Sequence, residues 1–307
     1  MKVSIIGGAG RVGSDAAYAL QFGGIVREIV ITDMNEEGAK GEAMDLLHGA
    51  SLTSDQKIYA GSYDAVSGSD VVIITAGLRR RPDESRLELI NRNVQLFIEI
   101  LDNLKKTSLA DGAILFVVSN PVDILTQLAV RDLGLPSERV FGLGTVLDTA
   151  RFRSLIADHF QIAPTDVKAL ILGEHGDTMV PIWSSASING MSLSSLPGFN
   201  KEVADKIFQA TKTSGADVIR QKGGAGRAVG VAIKEVVEAI ALDAHKVLPV
   251  SAYQRGALGI WDVCLSLPTI IGRRGIVQIL EPVVSEEERE ALLRSSQALQ
   301  EVWQKVA

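Results

Sequence analysis

The sequence predicts an α/β protein, with a doubly wound parallel sheet over residues 1–142 followed by an α+β domain over residues 143–307. Three observations predict it. The short apolar run 3–6 passes through a glycine cluster into a helical pattern at 14–22. Two further apolar runs, 70–74 and 113–118, follow at spacings that suit crossover helices. Continuous apolar runs of this kind suit strands covered on both faces of a parallel sheet. After about residue 143 the pattern changes to longer helical stretches and glycine-punctuated strands.

Taken in order, the first strand runs straight into Gly7-Gly8-Ala9-Gly10-Arg11-Val12-Gly13. Gly8, Gly10 and Gly13 stand in a Gly-x-Gly-x-x-Gly frame between strand and helix. Gly8 is expected to permit the tight turn, Gly10 to let a pyrophosphate approach the backbone, and Gly13 to let the helix pack closely on the strand. The helix N-terminus then offers its N–H groups to phosphate, which is the Rossmann arrangement. The next strand, 28–32, ends at Asp33, twenty residues past Gly13. A carboxylate there can accept hydrogen bonds from ribose hydroxyls and repels a 2′-phosphate, favouring NAD over NADP. The alternative for Asp33 is a strand-end cap. The runs 70–74 and 113–118 end in Thr75-Ala76-Gly77 and Ser119-Asn120-Pro121, where ligands of such sheets bind. Asn120 is placed either to touch a nicotinamide or substrate, or simply to form the turn before proline.

In the second half a helix starts at Leu147 and a strand covers 168–172. Helical stretches lie around 200–222 and 225–246, a strand region spans 248–280, and the last helix opens with Ser285-Glu286-Glu287-Glu288, a capping signal. Neither repeat nor flexible linker separates the halves, so the cleft between them is the expected active site.

Composition narrows the function. The chain has 307 residues, 46% of them apolar, and a net charge of −6. These values argue against a nucleic-acid or anionic-membrane binder. Cys264, the one cysteine, excludes an intrachain disulfide and sits in apolar sequence, as an inert thiol would. Neither a leader peptide nor a membrane-spanning run is expected, so the expected location is cytoplasmic. His175 is one of four histidines and lies in Gly173-Glu174-His175-Gly176-Asp177 at a strand end. Glycines on both sides leave its imidazole open to a ligand, and histidine suits proton transfer near neutral pH.

Asp148 and Arg151 lie three apart, on one helix face. Arg80 and Arg86 lie in a loop after a sheet strand, Leu78-Arg79-Arg80-Arg81-Pro82-Asp83-Glu84-Ser85-Arg86. Together with Thr75-Ala76-Gly77, Ser119-Asn120-Pro121 and the His175 motif, these make the chain resemble the L-lactate/L-malate dehydrogenase family nearly end to end. Its second half is then the substrate domain. The resemblance implies that His175 is the proton donor and acceptor, that Asp148 orients its ring, and that Arg86 polarises the substrate carbonyl. Arg151 would hold the carboxylate of a 2-oxo acid, and the loop 78–90 would close over it. The cofactor would be NAD, held by Gly8, Gly10, Arg11, Val12, Gly13 and Asp33. Thr75, Ala76, Gly77, Asn93, Val118 and Asn120 would complete its site. No metal is expected. A homodimer or homotetramer is implied, paired through the helix containing 38–48. Arg153 and Lys168 are either part of a regulatory anion site or ordinary surface charge.

Within the family, the register from Thr75-Ala76-Gly77 and back from Ser85-Arg86 puts Arg80 where lactate enzymes carry glutamine and malate enzymes arginine. A loop arginine closed against a methyl group would be an unpaired buried charge, costing roughly 3–5 kcal/mol. Ala225, in Lys222-Gly223-Gly224-Ala225-Gly226-Arg227, leaves room for a second carboxylate. The expected activity is therefore NAD-dependent malate dehydrogenase, a step of the tricarboxylic acid cycle. The stretch Asp83-Glu84-Ser85-Arg86-Leu87 looks more like the lactate side. The alternatives are L-lactate dehydrogenase, a relaxed 2-hydroxy acid dehydrogenase, or a non-catalytic NAD-binding protein. An NAD-requiring glycosidase would need a cysteine near Asn120-Pro121, which the chain does not have.

Overall fold

The computed structural model describes residues 1–78, 81 and 83–306, apart from the side chain of Arg86. The chain runs β1 (Lys2–Ile6), α1 (Arg11–Gly23), β2 (Glu28–Thr32), α2 (Glu36–Thr53), β3 (Lys57–Ala60) and the single turn α3 (Tyr63–Val66). Then come β4 (Val71–Ile74), α4 (Arg86–Lys105), β5 (Ile114–Val117), α5 (Val122–Asp132) and β6 (Val140–Gly142). The second half contributes α6 (Val146–Phe160), β7 (Val167–Leu172), β8 (Val180–Ile188), β9 (Met191–Ser192), α7 (Lys201–Lys222) and α8 (Arg227–Ala241). It ends with β10 (Lys246–Leu248), β11 (Ser251–Arg255), β12 (Trp261–Ser266), β13 (Thr269–Gly272), β14 (Gly275–Ile279) and α9 (Glu286–Val306).

The main sheet has the order β12-β11-β6-β5-β4-β1-β2-β3. From β6 to β3 the strands are parallel, and β11 and β12 extend the sheet antiparallel to them. The connections leave β1 toward β2 in one direction and return to β4 on its other side. The carboxyl ends of β1 and β4 therefore flank the switch point at which doubly wound sheets bind ligands. Alternation along the strands splits the core into two layers. Val3, Ile5, Ile29, Ile31, Val71, Ile73, Ile114 and Phe116 face α1 and α8, whereas Val72, Ile74, Leu115 and Val117 face α4, α5 and α9. A third cluster, built on Phe152, Ile171 and Ile188, sits between α6 and the β7–β8 hairpin.

Two boundaries differ from expectation. The loop expected over 78–90 ends sooner, because Ser85 caps α4: its hydroxyl takes the Glu88 N–H at 3.2 Å while Glu88 takes the Ser85 N–H at 2.8 Å. The helix expected to reach 246 stops at Ala241, since Asp243 (φ 52°) and His245 (φ 49°) turn left-handed and release 246–248 as a strand.

Candidate active site

The nucleotide cradle forms where β1, β2 and β4 end. The turn glycine is Gly7 rather than Gly8. Gly7 has φ +85°, and a Cβ there would come within 2.6 Å of the Ala76 backbone. Gly8 is needed instead for close packing, with its notional Cβ 2.6 Å from the Ile31 side chain, and Gly13 brings α1 against Gly8. Gly10 begins α1 with no side-chain cap. Asp33 sits beside this turn, its carboxylate accepting the N–H groups of Ala9 (3.1 Å) and Asn35 (2.9 Å). An uncapped helix start next to a strand-end carboxylate fits a dinucleotide, with phosphate on the first and ribose on the second.

The other expected cofactor residues have clear local work. Thr75 donates to the carbonyls of Ile6 and Gly7 at 3.1 Å, fastening β4 to the turn. Asn93 accepts the Leu78 N–H at 2.7 Å and donates to the Leu89 carbonyl at 3.2 Å, so it anchors the base of the loop that follows Gly77. Val118 is buried, Val12 packs on the core, and the Asn120 side chain accepts the Val122 N–H at 3.3 Å. Arg11 reaches across to the carbonyls of Lys222 and Gly224 at 3.4 and 3.5 Å, linking α1 to the α7–α8 junction.

The expected acid–base pair, His175 and Asp148, is brought together by α6 and the loop after β7. Asp148 lies in the first turn of α6 with 1% of its side chain exposed, and Arg151 one turn later donates to it at 2.9 Å. The other Asp148 oxygen meets His175 Nδ1 at 2.5 Å. With Nδ1 taken, Nε2 is the ring nitrogen left for a ligand. Burial pushes the Asp148 carboxyl up, but His175 and then Arg151 outweigh it and hold it below the usual carboxylate range. Burial likewise works against the imidazolium, yet Asp148 and, more weakly, Asp123 raise the His175 pKa above 6.5 despite opposition from Arg151.

The loop that carries His175 is pinned at each residue. Gly173 exchanges backbone hydrogen bonds with Ser266 at 2.9 Å in both directions, Glu174 N–H meets Ser295 Oγ at 2.9 Å, and His175 N–H meets Asp123 at 2.8 Å. Gly173 has φ +85°, and an added Cβ would lie 2.8 Å from Ser295 Oγ. Gly173→Ala is therefore expected to cost roughly 1–3 kcal/mol and to lower Tm measurably. An unchanged thermal midpoint would contradict this. A cavity of about 380 Å³ opens beside the loop, lined by Asp123, Glu174, His175, Asp177 and Thr178, by Leu87 and Ile90 of α4, and by Leu299, Val302 and Lys305 of α9.

Not every expected residue joins this arrangement. Arg79 and Arg80 lie outside the described residues, as does the side chain of Arg86, whose backbone starts α4. Ala225 packs against the core around α1 and α8. Arg153 donates to the Ala169 carbonyl at 2.9 Å, and Lys168 to that of Thr165. The sequence reading missed Asp123. Its only local signal is an acid in the first turn after Asn120-Pro121.

Residues 1–142 match the family model for the NAD binding domain of lactate/malate dehydrogenase, and residues 145–307 match the model for the alpha/beta C-terminal domain of the same proteins. The chain belongs to the lactate/malate dehydrogenase family. It is an NAD-dependent oxidoreductase. Across 310 residues it is 42% identical to the L-lactate dehydrogenase of Thermoanaerobacter sp. (strain X514), with 99% of each chain covered. It is 43% identical over 305 residues to L-lactate dehydrogenase 1 of Clostridium acetobutylicum, covering 98% of this chain and 96% of the relative. The solved structure of the minor L-lactate dehydrogenase from Enterococcus mundtii superposes with a TM-score of 0.96 at 33% identity, covering 100% of this chain and 98% of that one.

These relatives overturn the malate expectation, and with it the place in the tricarboxylic acid cycle. The full-length relatives and the superposed structure are L-lactate dehydrogenases. The physical weakness lay in the selector. Residue counting places a position but not a side chain, and three consecutive arginines allow more than one to face the substrate. The second support, Ala225, is partly buried and packs against the core.

Proposed function

We propose that this dehydrogenase is an NAD-dependent L-lactate dehydrogenase, interconverting pyruvate with (S)-lactate. The observation that carries it is the His175–Asp148 pair at 2.5 Å, with His175 on the wall of the cavity, in a chain 42–43% identical to L-lactate dehydrogenases along its length. Bound NADH supplies the hydride. The N-terminus of α1 beyond Gly8, Gly10 and Gly13 would hold the pyrophosphate, and Asp33 would take the ribose hydroxyls. Val118 and Asn120 would complete the nicotinamide end.

Protonated His175 donates from Nε2 to the carbonyl oxygen during reduction and takes the proton back during oxidation. Asp148 holds the ring and stabilises its cationic form. Arg151, with one nitrogen committed to Asp148, presents its remaining N–H edge to the substrate carboxylate. Arg86 is given the role that the family resemblance implies, polarising the carbonyl. Exposed Tyr18, Phe22, Met44 and Leu47 on α1 and α2 support a homodimer or homotetramer. Among the described residues no helix is long and apolar enough to cross a membrane, which is compatible with a cytoplasmic enzyme. Pyruvate mixed with NADH and the purified protein should consume NADH and yield (S)-lactate. Failure to consume NADH removes this reading.

A further inference from the structure

The acid–base pair leaves one carboxyl group beside it without a role. Asp123 stands in the first turn of α5, two residues past the Asn120–Pro121 turn, and is 2% exposed. Its Oδ1 accepts the Ser251 hydroxyl at 2.5 Å and its Oδ2 accepts the His175 backbone N–H at 2.8 Å. His175 is thus gripped twice, by Asp148 through its ring and by Asp123 through its main chain. Two carboxyl groups from separate helices hold one histidine, one at the ring and one at the backbone.

We propose that Asp123 is a positioning residue that fixes the His175 loop and sets the proton affinity of the His175 ring through its own charge. The catalytic consequence rests on the acid–base role given to His175 above. Burial pushes the Asp123 carboxyl up to about 7, against the opposing hydrogen bonds from Ser251 and from the His175 N–H and against the attraction of the His175 charge. Asp123 therefore changes charge in the range where histidine titrates. When ionised it favours the imidazolium. When neutral it withdraws that support, so the two groups titrate as a coupled pair.

The other charges around the pair are accounted for. Glu174, on the His175 loop, raises Asp123 further. Cys264 of β12 lies near Asp123 and is kept as a thiol by burial. Asp148 and Arg151 act on His175 from α6. Asp177 and Lys305 line the same cavity. Asp148 is held ionised, so of the two carboxyl groups beside His175 it is Asp123 whose charge varies in the neutral range.

The test is the titration of His175 by NMR in the full-length protein, without substrate, comparing the unaltered protein with Asp123→Asn. Four histidines are present, and the spectrum of His175→Asn identifies the signal. Asparagine keeps the size of the side chain and an oxygen for the His175 N–H but removes the charge. The His175 pKa should fall by roughly half a unit to one unit, and the alkaline limb of kcat/KM for reduction should fall with it. A His175 titration unchanged in D123N overturns the proposal, whatever happens to Tm or kcat. Should D123N not fold, Ser251→Ala gives the same reading. It removes the donor that favours ionised Asp123, so the His175 pKa should fall by a smaller amount, and no shift again overturns the proposal. A moved titration with an unmoved rate limb upholds the proposed electrostatics and instead removes His175 from the acid–base role.

Discussion

His175→Asn is expected to lower kcat for pyruvate reduction by on the order of 10²–10⁴-fold while leaving NADH affinity unchanged. Asparagine can still reach toward Asp148, but it carries no exchangeable acid where Nε2 stands. Hydride then arrives at a carbonyl whose oxygen must take its proton from water. The residues proposed for the nucleotide, from Gly7 to Gly13 with Asp33 and Thr75, bond among themselves and not to the imidazole, so binding of the reduced cofactor should survive. Stopped-flow turnover and NADH fluorescence titration on one preparation separate the two effects. Turnover near the original rate would take His175 out of proton transfer.

Asp148→Asn is expected to be nearly as damaging, about 10²–10⁴-fold in kcat, and to carry a pH signature. The wild-type His175 pKa is raised, so the reductive direction, which needs the protonated ring, persists above the ordinary value of 6.5. Without the Asp148 charge the ring loses its proton at lower pH. The alkaline limb for reduction and the acidic limb for lactate oxidation should therefore both move down. Stability follows the same signs. The raised His175 contributes stability that is fully present below 6.5 and lost as pH rises through its folded value. The depressed Asp148 contributes stability present above 3.8 and lost as pH falls through its folded value. The stability lost in D148N should thus be greatest between 3.8 and 6.5. Urea unfolding across that range checks it. A pH–rate profile unmoved from wild type would contradict the role of Asp148.

Local signals carried much of the site. Gly8, Gly10, Gly13 and Asp33, the residues proposed for phosphate and ribose, lie within one strand–helix–strand unit, so their juxtaposition is legible locally. Asp148 and Arg151 share one helix turn, and His175 follows the glycine that ends its strand. Their mutual contact, across 27 positions in the chain, became legible only through the order of several motifs. Asp123 stayed hidden because its partners lie 52 and 128 positions away, at His175 and Ser251, and no periodicity records such contacts. The same holds for β11 and β12, which leave the second half to lengthen the first sheet. Gly7 rather than Gly8 takes the left-handed turn, and Ala76, just past β4, leaves no room there for a Cβ, a neighbour no fingerprint contains. Substrate choice was misread because the run Arg79-Arg80-Arg81 offers three cations in succession, and counting residues does not say which one meets the substrate.

The proposed activity is tested most directly by initial rates with pyruvate and with oxaloacetate, side by side under saturating NADH. An L-lactate dehydrogenase should show the higher kcat/KM with pyruvate. A higher kcat/KM with oxaloacetate would contradict the account.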